Sequence, residues 1–207
     1  MLEFVLPSEI EKRSFEIITQ ELGGKKLDPK HESIIKRVIH TSADFDYADA
    51  LCFSEGVVEK GIAALKKGAT IITDTSMAAA GINKKNLNRL GGEVRCFIGD
   101  EDVAERAQRE GNTRSSICMD KAASLAGSLI VAVGNAPTAL IRLHELIIAG
   151  QIRPDLIIGV PVGFVNVVES KEMIMDAGIP YIVARGRKGG SNVAAAICNA
   201  LMLEAII

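Results

Sequence analysis

From residue 69 onward the chain alternates between short apolar runs and longer amphipathic stretches. The runs are ATIIT (69–73), EVRCFI (93–98), SLIVAV (128–133), DLIIGV (155–160) and PYIVA (180–184). Each is brief and rich in Ile and Val, the mark of a strand buried on both faces. The stretches between and after them predict helices near 83–90, 100–110, 115–126, 137–149, 167–177 and 191–206. In the fourth, Ala139, Leu140, Leu143, Leu146 and Ile147 recur at helical intervals. Gly150 and Gly178 fall where helices should end. Alternation of this kind requires parallel pairing through right-handed crossovers. The predicted fold is therefore α/β, a doubly wound, mainly parallel sheet of about five strands with helices on both faces.

The first third is patterned differently. Residues 8–22 predict a helix with Ser8 as N-cap and Ile10, Phe15 (or Ser14), Ile17, Ile18 and Leu22 as its apolar face. Residues 31–40 end in RVIH and fit a helix or a short strand. Residues 54–67 predict an amphipathic helix through Val57, Val58, Ile62 and Leu65. No repeat or linker divides the chain, so residues 1–207 read as a single domain. Residues 1–50 are expected to cover a sheet edge or to form a dimerisation arm.

Composition narrows the function. Apolar residues make up 48% of the 207, with no Trp, so the core must come from Ile, Val, Leu and Ala. The 24 basic and 26 acidic residues give a net charge near −2, which argues against a dedicated nucleic-acid binder. Cys52, Cys96, Cys118 and Cys198 form no CxxC pair, and the start, MLEFVLPSEIEKRSFE, does not read as a signal peptide. A reducing cytoplasm is expected. The most apolar long stretch, 124–149, is interrupted by Asn135, Pro137 and Arg142, so no membrane span is expected and the protein should be soluble.

In open parallel sheets ligands bind outside the carboxyl ends of the strands. The segments that follow the predicted strands are Asp74-Thr75-Ser76-Met77, Gly134-Asn135-Ala136-Pro137-Thr138, Pro161-Val162-Gly163-Phe164 and 185–192. Glycine and small polar residues recur in these segments, so a site is expected on that edge. The opposite turns, KKGA and QIRPD, read as ordinary solvated connections. In 185–192 (RGRKGGSN), three cations and three glycines precede a helix whose N-cap could be Ser191. Free amides plus Arg187 and Lys188 would favour an anion, and a plain solvated turn is the alternative. No GxxxxGK[ST] and no GxGxxG after a strand occurs, so a dinucleotide or S-adenosylmethionine cofactor has no support.

Residues 37–47, RVIHTSADFDY, set His40 beside two hydroxyls and near Asp44 and Asp46. Imidazole suits general acid or base work, although an isolated His is often structural. The two aspartates could instead cap a helix containing Ala48 to Phe53. His31 reads as exposed and His144 as packed on a helix flank; their spacing with His40 suits no metal, and none is expected. Arg114 could clamp a carboxylate, or could be a surface residue beside an N-cap at Thr113 or Ser115. The acidic runs at 100–102 and 169–172 read as capping and solvating helices, and Met173 and Met175 do not form a cofactor box.

VIHTSADFDY, TDTSMAAAGI, NTRSS, VGNAPTALIRLHEL, IGVPVGFVNVVESKE and GRKGGSNVAAAICNAL, in this order, resemble the successive motifs of the precorrin-8X methylmutases, and SFEII near the start also fits. The resemblance runs from about residue 10 to residue 203 and departs from the usual pattern at 166–168. It implies a cytoplasmic isomerase of cobalamin biosynthesis that moves a methyl group from C-11 to C-12 of a modified tetrapyrrole, with or without cobalt. It further implies a homodimer with the macrocycle in a cleft near the subunit interface, no cofactor, and His40 as proton donor to a ring nitrogen. A broad disc with a rim of carboxylates needs apolar walls and scattered cations. Arg114, Arg187 and Lys188 are the expected cations; Ser14, Thr41, Thr75, Asn135 and Ser191 the hydrogen-bonding groups; Met77, Val162 and Phe164 the apolar ones. A non-catalytic corrinoid carrier on the same fold is the alternative, and a phosphosugar isomerase using 185–192 for phosphate a third.

Overall fold

The computed structural model describes residues 4–207. In chain order the elements are α1 (Ile10–Leu22), α2 (Glu32–Ser42), α3 (Tyr47–Ala50), β1 (Leu51–Phe53), α4 (Val57–Lys66), β2 (Thr70–Thr73), α5 (Ser76–Gly81) and α6 (Lys84–Arg89). There follow β3 (Glu93–Arg95), α7 (Glu101–Glu110), α8 (Arg114–Ala123), β4 (Leu129–Val133), α9 (Pro137–Ile148), β5 (Leu156–Gly159), α10 (Val167–Met175), β6 (Tyr181–Ala184) and α11 (Ser191–Ile206). One sheet of six strands runs in the order β1-β6-β5-β4-β2-β3. Every pairing is parallel except β1 with β6, where Leu51 faces Ala184 and Phe53 faces Ile182.

All five predicted strands form, and the sixth, β1, replaces the end of the helix expected at Ala48–Phe53: one turn of helix stops at Ala50 and the chain straightens. Three residues, Leu51-Cys52-Phe53, are too few to carry a strand pattern; pairing with β6 makes them one. Ser8 does not cap the first helix, which starts at Ile10 after Glu9 with no side-chain cap.

The strands split their apolar residues between two cores. Ile71, Ile130, Leu156, Ile158 and Ile182 face a layer made by α2, α4, α6 and α11. Ile72, Val131, Val133, Ile157 and Val183 face α7, α8, α9 and α10. Adjacent residues in a strand point to opposite faces, which is why these strands are apolar throughout. Helix α11 lies deepest, with ten of its sixteen residues buried. A helix apolar all round belongs in a protein interior. It packs on α2, α4 and α5, so the N-terminal helix α2 lies over α11. Among the described residues no helix is long and apolar enough to cross a membrane.

Candidate active site

Chain order runs from β2 outward to β3, then returns to β4 on the other side of β2. This reversal is a topological switch point, where the connections leave a crevice at the carboxyl ends. Asp74, the first residue after β2, occupies it and has no exposed surface. Its Oδ1 accepts from the Gly134 amide at 2.8 Å, and its Oδ2 from those of Asn135 and Ala136 at 2.8 and 2.7 Å. The entry to α9 has no side-chain cap at Ala136, and Asp74 supplies an anion to the amides of the three residues that lead into it. Burial raises the Asp74 pKa above the ordinary carboxylate value, while the three amide bonds pull it down. Asp74 thus braces the crevice.

Thr75 caps α5 by accepting from the Ala78 amide at 3.1 Å, and its hydroxyl lies 2.7 Å from that of Ser191. Ser191 is the first residue of α11, not its N-cap; Gly190 takes that place without a side-chain cap. The loop before α11 packs tightly on the strand ends. A Cβ at Gly189 would sit 2.1 Å from the Val160 carbonyl oxygen, and one at Gly134 would sit 2.6 Å from Cα of Ser191. These two glycines are there because backbones touch.

The antiparallel strand brings the His40 segment to the same edge. β1 begins beside the carboxyl end of β6, so the turn from α2 to α3 lies against the 185–190 loop. The Arg185 amide donates to the Ala50 carbonyl at 2.8 Å. Lys188 Nζ donates to Asp44 Oδ2 and Asp46 Oδ2, both at 2.6 Å. The lysine beside it holds the Asp44 carboxyl below its usual pKa, and the aspartates raise that of Lys188. Lys188 is therefore a clasp between the two segments, and its charge is matched before any ligand arrives. Asp44 and Asp46 form the other half of that clasp; at the entry to α3 the Asp44 side chain accepts from the Asp46 amide at 3.0 Å, while the Asp46 side chain makes no cap.

His40 stands in the last turn of α2, whose Ile34, Ile35, Val38 and Ile39 are buried. Its own side chain is exposed and stacks on Phe15 of α1, with centroids 5.5 Å apart and planes 26° apart. The Arg37 guanidinium lies 4.9 Å from the same ring and pairs with Glu11 at 2.8 Å. Phe15, half-buried, is thus the residue of α1 that meets the histidine, while the neighbouring Ser14 bonds its hydroxyl to the Ile10 carbonyl. Thr41 is exposed next to His40.

Arg187 is exposed and lies over the Phe164 ring at 5.4 Å. Phe164, Val165 and Met77 are 81%, 77% and 71% exposed, and Val162 is also open. They form an apolar margin at one edge, Met77 in the first turn of α5 and the others on the turn after β5, with Asn135 exposed after β4. Arg114 opens α8 at the same edge, after a Thr113 cap whose hydroxyl meets Thr138 at 2.8 Å. Its surroundings differ, because it borders a concavity of about 530 Å³ shared with Glu101, Glu105 and Asn112 of α7 and its exit. The amino edge holds another concavity, of about 430 Å³, lined by Lys60, Lys67, Arg153 and Asp155, so the QIRPD turn borders a groove.

One residue overturns its expected role. Lys171, read from sequence as solvated together with its neighbours, is fully buried, as is Ser170. Its Nζ donates to the carbonyls of Gly186 and Lys188 at 2.7 and 2.9 Å, and burial lowers its pKa to about 8. The signal was present: Val167, Ser170, Lys171 and Ile174 are the i, i+3, i+4, i+7 positions of a buried stripe. His31 is likewise not free, its ring stacking on Phe53 at 3.9 Å. Among the described residues no group of three or more His, Cys, Asp or Glu could hold a metal.

Known proteins share both the fold and much of the sequence. The family model described as CbiC, precorrin-8X methylmutase, matches residues 9–204. A cobalt-precorrin-8 methylmutase of Salmonella typhimurium is 48% identical, with 95% of this chain and 94% of that protein covered. Another, of Priestia megaterium, is 43% identical over 97% of this chain and 89% of that protein. The crystal structure of a precorrin-8X methylmutase from Thermus thermophilus superposes with a TM-score of 0.87 at 40% identity, covering 96% of this chain and 98% of that one. With a family match across nearly its whole length, the chain belongs to the precorrin-8X methylmutase family.

Proposed function

We propose that the protein is an isomerase that moves the C-11 methyl group of precorrin-8X or cobalt-precorrin-8 to C-12, with His40 as the proton donor. The reaction breaks one C–CH₃ bond and makes another on the same ring system, so nothing enters or leaves. As the methyl group migrates, electron density passes into the conjugated macrocycle. A proton lent by the imidazole to a ring nitrogen stabilises that density where water is displaced, and returns to the imidazole as the isomer forms. The observation that supports this reading is the exposed imidazole of His40 at the end of α2, on the segment whose following residues Asp44 and Asp46 are held by Lys188 of the 185–190 loop.

The remaining groups suit a flat polycarboxylate. Met77, Val162 and Phe164 offer apolar contact to its faces, and Arg187 a cation to its rim. Ser14, Thr41, Thr75, Asn135 and Ser191 offer hydrogen bonds, with Arg114 reaching from the side. Lys188 serves as a tether first and a rim contact second. A homodimer is part of the proposal: exposed Phe164 and Val165 call for cover, which a second copy would give. The unpaired cysteines suit the cytoplasm.

The test is turnover of cobalt-precorrin-8 and of its metal-free counterpart, followed by absorption and mass. An absorption change at unchanged mass is expected with at least one of them. Tight binding of both with no spectral change would favour a carrier.

A further inference from the structure

Lys171 holds an ammonium group out of water in the middle of α10, where a methionine would fill the space without the cost of desolvation. Its two acceptors, the Gly186 and Lys188 carbonyls, are the ones on either side of Arg187. The carbonyl of Arg187 itself turns the other way and accepts from the Gly163 amide at 3.2 Å. Three successive peptides are thereby fixed, alternately to α10 and to the turn after β5. Within that turn lies Phe164, on whose ring the Arg187 guanidinium rests. A buried cation is an expensive way to hold a surface loop unless the loop must keep one conformation.

We propose that Lys171 is a positioning residue of the methyl-migration site, pinning the peptides that flank Arg187 so that its guanidinium is presented to a rim carboxylate of the macrocycle. The inference rests on the reading of this edge as the macrocycle site. Lys171 touches no reacting atom and acts through Arg187, so its removal should weaken substrate binding more than the chemical step. Binding that relies on a preorganised side chain is lost when the side chain must first be ordered.

The experiment is a double-mutant cycle on the full chain with Lys171→Met, Arg187→Ala and the double variant. KM and kcat are read with whichever of the two precorrins the wild type turns over, and Kd with its product. Lys171→Met should raise KM and product Kd about tenfold with kcat within about threefold, and the double variant should be no worse than Arg187→Ala alone. Wild-type KM in Lys171→Met, or two effects that multiply, would overturn the proposal. Should Lys171→Met fail to fold, Lys171→Arg, which keeps a cation, carries the test. KM near the wild-type value then supports the proposal, and KM as high as that of Arg187→Ala overturns it. A wild-type KM in Arg187→Ala overturns it regardless of how the Lys171 variants behave. Absence of turnover in the wild type would instead sink the reading of the site, so the two failures are distinct.

Discussion

Replacing Asp74 by Asn changes one atom in the best-packed part of the site. In the wild type both carboxylate oxygens accept, one from Gly134 and the other from Asn135 and Ala136, at 2.7–2.8 Å. The carboxamide has one accepting oxygen, which takes the two-donor position and leaves its NH₂ facing the buried Gly134 amide. That orphaned donor pair costs about 1–3 kcal/mol, and the two surviving bonds lose charge assistance worth about 1 kcal/mol each. A destabilisation of about 3–5 kcal/mol follows, or a fall in Tm of about 6–20 °C for a chain of this length. Asp74→Ala, which frees all three amides, should fall further. Thermal melts by circular dichroism, with urea titrations to confirm an unchanged m value, read both. Asp74→Asn within about 1 kcal/mol of the wild type would refute the carboxylate as the brace, since a neutral acid donates and accepts much as an amide does.

Two further outcomes follow from the loop and its support. The folded Lys171 pKa, lowered to about 8 from 10.5, means that above pH 8 the unfolded chain binds the extra proton. Stability of the wild type relative to Lys171→Met should therefore be flat below pH 8 and rise by at most about 3 kcal/mol toward pH 10.5, read by urea unfolding at each pH; a flat difference would show that burial does not hold the ammonium's pKa down. Gly189→Ala puts a methyl 2.1 Å from the Val160 carbonyl oxygen, a backbone atom that cannot rotate away, and should cost about 3 kcal/mol or displace the loop; a melt within 2 °C of the wild type, by the scale of about 2–4 °C per kcal/mol, would show that the contact yields easily.

The sheet was legible because its strands are apolar on both faces and its helices follow the helical stripe. What escaped were features that owe their form to partners distant in sequence. β1 is three residues long and is a strand because Leu51–Phe53 lies against Ile182–Ala184. Convergence of 74–77, 134–138, 161–164 and 185–192 on one edge followed from parallel topology alone. The His40 segment joins them through the one antiparallel strand, which no periodicity revealed. Lys188 looked like a free cation because the sequence does not bring Asp44 and Asp46 next to it; the fold does, across more than 140 positions. Lys171 was readable in principle, yet the residue type outweighed the stripe it sits on, and charged residues are buried rarely enough to make that error natural.

In the proposed reaction the imidazole at position 40 lends the proton while the rest of the edge holds the macrocycle. Single-turnover mixing of His40→Ala with whichever of the two precorrins the wild type converts, watched in the visible, tests it most directly. The variant should fold, bind substrate and product within a few-fold of the wild type, and convert the substrate about 10²–10⁴ times more slowly. Conversion at the wild-type rate would contradict it.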